Sequence, residues 1–113
     1  MARIRLERGP VVCERGQLAV TPWTRAKGLL GRSGLEPEEG LWIQPTNSIH
    51  MFFMRFPIDV VYAAGDGRVL KLVRGIGPWR VSFCRGAKVA LELPLGTIDR
   101  SGVTVGDHLV IEA

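Results

Sequence analysis

The residue types best suited to chemistry gather in one stretch, Ser48 to Tyr62 (SIHMFFMRFPIDVVY), where His50, Arg55 and Asp59 stand among Phe52, Phe53, Met54 and Phe56. Buried ionisable groups cost free energy unless they are paired or hydrogen-bonded. Such apolar density therefore predicts a structural partner or a ligand for each of the three. His50 with Asp59 would make a general base, the carboxylate orienting the imidazole. Read as a hairpin, the stretch has strands over 49–54 and 58–63 around a loop at 55–57. Met54 then faces Ile58, His50 lies opposite Tyr62, and Asp59 lies opposite Phe53 on the other face. That register separates His50 from Asp59 and sets Arg55 diagonally beside Asp59. An Arg55–Asp59 ion pair is expected, and no catalytic residue is assigned.

A helix over 22–30 must position the next group. Thr21 can cap its free amides and Pro22 suits its first position. Trp23, Ala26, Leu29 and Leu30 recur at helical spacing. Gly31 supplies a stop, and Lys27 and Arg32 suit the negative end of the helix dipole. Gly28 is worse than Ala inside a helix by ~1 kcal/mol, so close approach by the hairpin is expected there. Packed over the hairpin, such a helix brings Arg25 and Arg32 to one cleft with His50 and Arg55. Guanidinium groups so placed accept carboxylate or phosphate through paired hydrogen bonds, and Phe52 and Met54 supply an apolar wall. The candidate ligand-binding set is Arg25, Arg32, His50, Phe52, Met54, Arg55 and Asp59.

The rest of the chain reads as short strands. Residues 3–6 and 10–14 flank Arg8-Gly9, and Leu18-Ala19-Val20 and Leu41-Trp42-Ile43 follow. Ala64-Gly65-Asp66-Gly67 is a hairpin turn leading into 68–73. Residues 80–85 are a loop or edge strand. Residues 88–93 alternate, with Val89, Leu91 and Leu93 on one face. A connection through Ser101-Gly102 leads by Val105-Gly106-Asp107 into a last strand at 108–112. Many short strands with one helix predict an α+β, mainly β fold. The expected architecture is a coiled antiparallel sheet or partial β-barrel, with one main helix packed on it, in a single domain over 1–113.

Ile49 to Tyr62 resembles the central signature of the domain of unknown function 192 family: an aromatic–Met pair (Phe53-Met54), a basic residue (Arg55) and a Pro–apolar–Asp step (Pro57-Ile58-Asp59). Arg25-Ala26-Lys27-Gly28-Leu29-Leu30-Gly31-Arg32, Val89 to Gly96 and Val105-Gly106-Asp107 match its flanking motifs in the family's order, over residues 16 to 111. Many members carry a longer Met-to-Pro connection containing Lys-Asn-Thr, which this chain lacks. The resemblance implies a fold and leaves the activity unassigned.

Composition narrows the classes. Of 113 residues, 46% are hydrophobic and 23% charged, which is ordinary for a globular domain. No apolar run approaches the ~20 residues of a membrane span, and the N-terminus lacks a signal-peptide core, so a cytoplasmic location without membrane association is expected. Cys13 and Cys84 form no Cys-x-x-Cys pair, and two His make a four-ligand zinc site improbable; no metal or cofactor is expected. Serine-hydrolase and phosphate-loop signatures are absent. The leading expectation is a non-catalytic module taking a small anionic or peptidic ligand between helix 22–30 and hairpin 49–62. A DNA-binding regulator with a swapped-hairpin-like barrel is the alternative, given the net charge of +4; nucleic-acid binding is expected to be weak, because no face interleaves aromatic and basic residues. A small hydrolase using His50 stands third.

Overall fold

The computed structural model describes residues 1–112. Strand β1 (Ala2–Leu6) turns at Arg8-Gly9 into β2 (Val11–Ala19), which runs unbroken through the expected pause at Arg15-Gly16. Helix α1 (Pro22–Lys27) then leads to β3 (Glu39–Ile43), β4 (Ser48–His50), β5 (Ile58–Ala63), β6 (Val69–Ile76), β7 (Val81–Phe83) and β8 (Val89–Pro94). Helix α2 (Thr97–Ser101) and β9 (Leu109–Glu112) complete the order. Seven strands form one sheet in the order β6-β5-β8-β3-β2-β1-β9, and β4 and β7 form a separate ribbon. The α+β, mainly β class and the coiled sheet are as expected. The sheet is mixed, however, because β2 and β3 run parallel through the crossover that carries α1.

The sheet coils until its outer strands touch. Arg68 bridges His108, the Val69 amide donates to the Asp107 carbonyl at 2.8 Å, and the Leu109 amide donates to the Gly67 carbonyl at 2.8 Å. Gly67 has φ +93°, and a Cβ there would lie 2.6 Å from the Leu109 carbonyl oxygen. Only glycine admits both the conformation and the approach. Gly67 is also the one glycine of the expected 64–67 turn with positive φ. The edges meet at this one place and the sheet is not closed along its length.

Strands β5 and β8 lie inside the sheet with both faces covered. Every residue of β5 is buried, as is Val89 to Leu93 of β8. One face packs Val61, Leu91 and Leu93 against Ile4, Leu6 and Ile98. The other packs Val60, Tyr62 and Ala90 against Ile49, Met51 and Met54. This double burial explains why the 49–62 hairpin does not form. Strand β5 takes its hydrogen-bonded neighbours from β6 and β8. Ser48–His50 is left to pair with Val81–Phe83 instead.

Helix α1 starts as expected, with Thr21 capping Thr24 in a reciprocal box and Pro22 in the first turn. It ends three residues early, at Lys27, and buries none of its own side chains; Trp23 is 77% exposed. It is therefore no apolar lid on a hairpin. Gly28 is its C-cap, with φ +49° and ψ −129°. The nearest atom to a Cβ built there is the Arg25 carbonyl oxygen at 3.9 Å. Conformation, not close approach by another segment, selects glycine at this position. Gly28→Ala should cost about 1–2 kcal/mol, since L residues are strained in this region. A thermal melt in which the alanine variant is as stable as the parent would remove that account.

Candidate functional site

Asp59 is 1% exposed and has no cationic partner among the described residues. Its carboxylate accepts three backbone amides: Gly75 at 3.0 Å, Gly96 at 3.1 Å and Ile98 at 2.9 Å. It joins β5 to the β6 bend and to the first turn of α2, whose N-cap Gly96 has no side chain to serve it. Arg55 is exposed on the Met51–Pro57 turn and makes no ion pair among the described residues, so the expected Arg55–Asp59 pair does not exist. Asp59 braces three backbone amides.

Arg32 also leaves the expected cleft. Its Nη2 donates to both Glu39 carboxylate oxygens, at 2.9 and 3.1 Å, which ties the loop after α1 to the start of β3. Phe52 points outward and stacks on His50 at 5.1 Å between ring centroids. His50 itself is exposed, with no carboxylate beside it among the described residues.

Three of the expected residues do meet. Arg25, His50 and Met54 line a cavity of about 100 Å³ between the C-terminal end of α1 and strand β4. Lys27, Leu29, Ile43, Thr46 and Ser48 are also in its wall, and Glu92 of β8 lines it too. Glu92 was not singled out by the sequence. It sits on β8 with Leu41 of β3 and Val60 of β5 as lateral neighbours. Its exposure is 6%, and it has neither a hydrogen bond nor an ion pair among the described residues. Burial pushes its carboxyl up to about 7, because low polarity disfavours the charged form.

Two polar atoms on this side of the sheet are buried without hydrogen-bond partners among the described residues, Arg25 Nε and the Tyr62 hydroxyl. Arg25 is held by one bond, from Nη1 to the Pro45 carbonyl at 3.1 Å. Buried polar groups are nearly always satisfied, so an orphan donor and an unpaired carboxyl flanking one cavity form an uncommon combination. A wider depression of about 500 Å³, lined by Leu35, Phe56, Pro57, Leu95 and Arg100, contains no unpaired buried polar atom among the described residues.

Cys13 and Cys84 are free and buried. Burial pushes the Cys13 thiol up to about 11, which leaves little thiolate at neutral pH. Among the described residues no cluster of three or more His, Cys, Asp or Glu could hold a metal ion, and no helix is long and apolar enough to cross a membrane.

The profile of the DUF192 family, described as "Uncharacterized ACR", matches residues 7–111. The chain belongs to this family. A UPF0127 protein of Thermococcus sibiricus is 34% identical over 115 aligned residues, which span 94% of this chain and 71% of that protein. A second UPF0127 protein, from Pyrococcus furiosus, is 40% identical over 63 residues, 55% of this chain and 53% of its own length. Two crystal structures are similar in fold. One, a proposed transcription regulator of Sinorhizobium meliloti, superposes with a TM-score of 0.84 at 28% identity, covering 97% of this chain and 92% of its own. The other, a protein of unknown function from Novosphingobium aromaticivorans, gives 0.81 at 26% identity over 96% and 82%.

Proposed function

We propose that this DUF192 protein is a non-catalytic binding module whose cavity between α1 and β4 takes a small carboxylate. The observation that carries the reading is Glu92, a buried carboxyl at a cavity wall with no partner of its own. With its proton held to about pH 7, Glu92 can donate a hydrogen bond to an incoming carboxylate and share that proton with it. Arg25 Nε, buried without an acceptor, supplies a charge-assisted donor. Leu29, Ile43 and Met54 would cover a short apolar body. A cavity this size admits only a few non-hydrogen atoms, since one water occupies about 30 Å³ of liquid. The ligand is therefore a small acid or the end of a larger one.

Ligand-observed NMR with short-chain monocarboxylates and the matching alkylamines tests this. The acids should bind at pH 6, weaken above pH 7 as Glu92 loses its proton, and lose binding in Arg25→Ala. Amines binding better than acids, with affinity rising with pH, would instead make Glu92 a cation site.

The description of the Sinorhizobium neighbour as a transcription regulator, with the net charge of +4, supports a second reading as a DNA-binding regulator. Its signature is duplex affinity that falls steeply with salt, because phosphate contacts release counterions.

A further inference from the structure

The β4–β7 ribbon exposes a face that the core does not use. Register places Ser48 opposite Phe83 and His50 opposite Val81, with Ile49 and Ser82 turned to the other side. Phe83 and Val81 are each 66% exposed, and Trp79 and Phe53 beside them are 61% and 71% exposed. The rings form a continuous chain: His50 on Phe52 at 5.1 Å, Phe52 to Trp79 at 5.9 Å, and Trp79 to Phe53 at 4.9 Å.

Two of these aromatics are held there against backbone preference. Phe53 has φ +65° and Trp79 φ +67°, and they are the only non-glycine residues with positive φ among those described. Large side chains seldom adopt this conformation, and it collects at functional surfaces. The arrangement is fixed by the Met51 carbonyl, which accepts the Trp79 amide at 2.8 Å and the Met54 amide at 3.2 Å. The fold spends strain to hold rings in water, and a packing role does not explain it.

Charge on this face has one sign. No Asp or Glu occurs from Gly40 to Ile58 or from Gly67 to Leu91. Arg55, Arg80 and Arg85 flank the exposed aromatics in sequence, none in an ion pair among the described residues. Lys71 lies 6.0 Å over the Phe83 ring. Arg80 and Arg85 thus bracket Val81 and Phe83 in sequence, and all four are exposed.

A second copy of the chain is a poor occupant. Two-fold contact sets a patch against itself, which here would bring cations together with no acid to pair them. Nucleic-acid bases stack on free ring faces, and here His50 and Phe52 already stack on each other while Phe53 and Trp79 meet edge to face. A shallow groove of about 460 Å³ runs along the ribbon between Ser48–His50 and Val81–Phe83, and it suits a chain better than a flat bilayer. We propose that this face docks an extended acidic segment of a partner protein, its apolar side chains in the groove and its carboxylates on Arg80 and Arg85. The groove adjoins the Glu92 cavity and shares Ser48, Ile49 and His50 with it, whereas Trp79, Arg80 and Arg85 take no part in that cavity.

Fluorescence anisotropy with a short labelled peptide of alternating glutamate and leucine tests the proposal. Its lysine–leucine counterpart, a labelled oligothymidine and phosphatidylglycerol vesicles are run alongside. The acidic peptide should bind and the basic one should not. Trp79→Asn and Arg80→Glu should each weaken binding by about tenfold or more, as removal of a central anchor does. Asparagine tolerates positive φ, so Trp79→Asn should keep or raise the melting midpoint while it loses the peptide. No binding of the acidic peptide, unchanged affinity in Trp79→Asn, or tighter binding of oligothymidine or vesicles would each overturn it.

Discussion

Asp59→Ala should destabilise the protein by about 4 kcal/mol, more than any other single polar substitution on the chain. Hydrogen bonds to a charged group contribute about 1.5–3 kcal/mol each, and a donor left buried without an acceptor costs about 1–3 kcal/mol. Three amides lose their acceptor together here, those of Gly75, Gly96 and Ile98. Asp59→Asn keeps one oxygen and should lose roughly half as much. Arg55→Ala, by contrast, removes an exposed side chain and should stay within about 0.5 kcal/mol. Urea midpoints of the three variants decide between brace and ion pair. If Arg55→Ala fell as far as Asp59→Ala, and the double variant no further, the ion pair would be real.

The brace also shows what periodicity could not reveal. The stretch 48–62 was legible as the organising segment from its aromatic and Met density, and β5 lies where alternation placed it. Its partners were not legible. Apolar runs state that a strand is buried, not which neighbour it pairs with, and β5 chose β6 and β8 over β4. The turn between β4 and β5 hid a second cue, because the positive φ of Phe53 is carried by a residue that gives no hint of it. Helix α2 was missed for a related reason. Its first turn is capped by a carboxylate 39 positions upstream, so no local capping signal marks Gly96 as a helix start.

At the site, the helix and the central motif led to Arg25, His50 and Met54, which do line one cavity. Phe52, Arg55 and Asp59 went elsewhere because the hairpin they were placed on does not form, and Arg32 because its helix ends at Lys27 and its guanidinium pairs with Glu39. Glu92 was overlooked although a signal stood in the sequence. In Val89-Ala90-Leu91-Glu92-Leu93, alternation places the odd positions on one face and by itself says nothing of what covers the other. Ala90, small and apolar, was the hint that the second face is covered too. Once a strand lies between neighbours on both sides and under cover on both faces, an alternating polar residue becomes a buried one.

That buried carboxyl yields the second large effect. Glu92→Gln should raise stability by about 1 kcal/mol at pH 5 and by about 3 kcal/mol at pH 8. In the unfolded chain the carboxyl titrates near 4.5, and in the folded protein at about 7. Between those values the native state keeps a proton that the unfolded state has released. Stability of the parent therefore falls as pH rises through this window, and the full penalty is in place above pH 7. Glutamine fills nearly the same volume and does not titrate, so its curve should be flat over the same range. Urea midpoints of parent and variant at pH 5 and pH 8 give the comparison. A gap equal at both values would mean that the carboxyl does not change its charge in the fold, and Glu92 could not be the proton donor that the cavity offers a ligand. A gap that opens with pH ties the two properties together: the site stays unstable while empty and charged, and a bound carboxylate that keeps the proton in place would stabilise the fold most between pH 6 and 7.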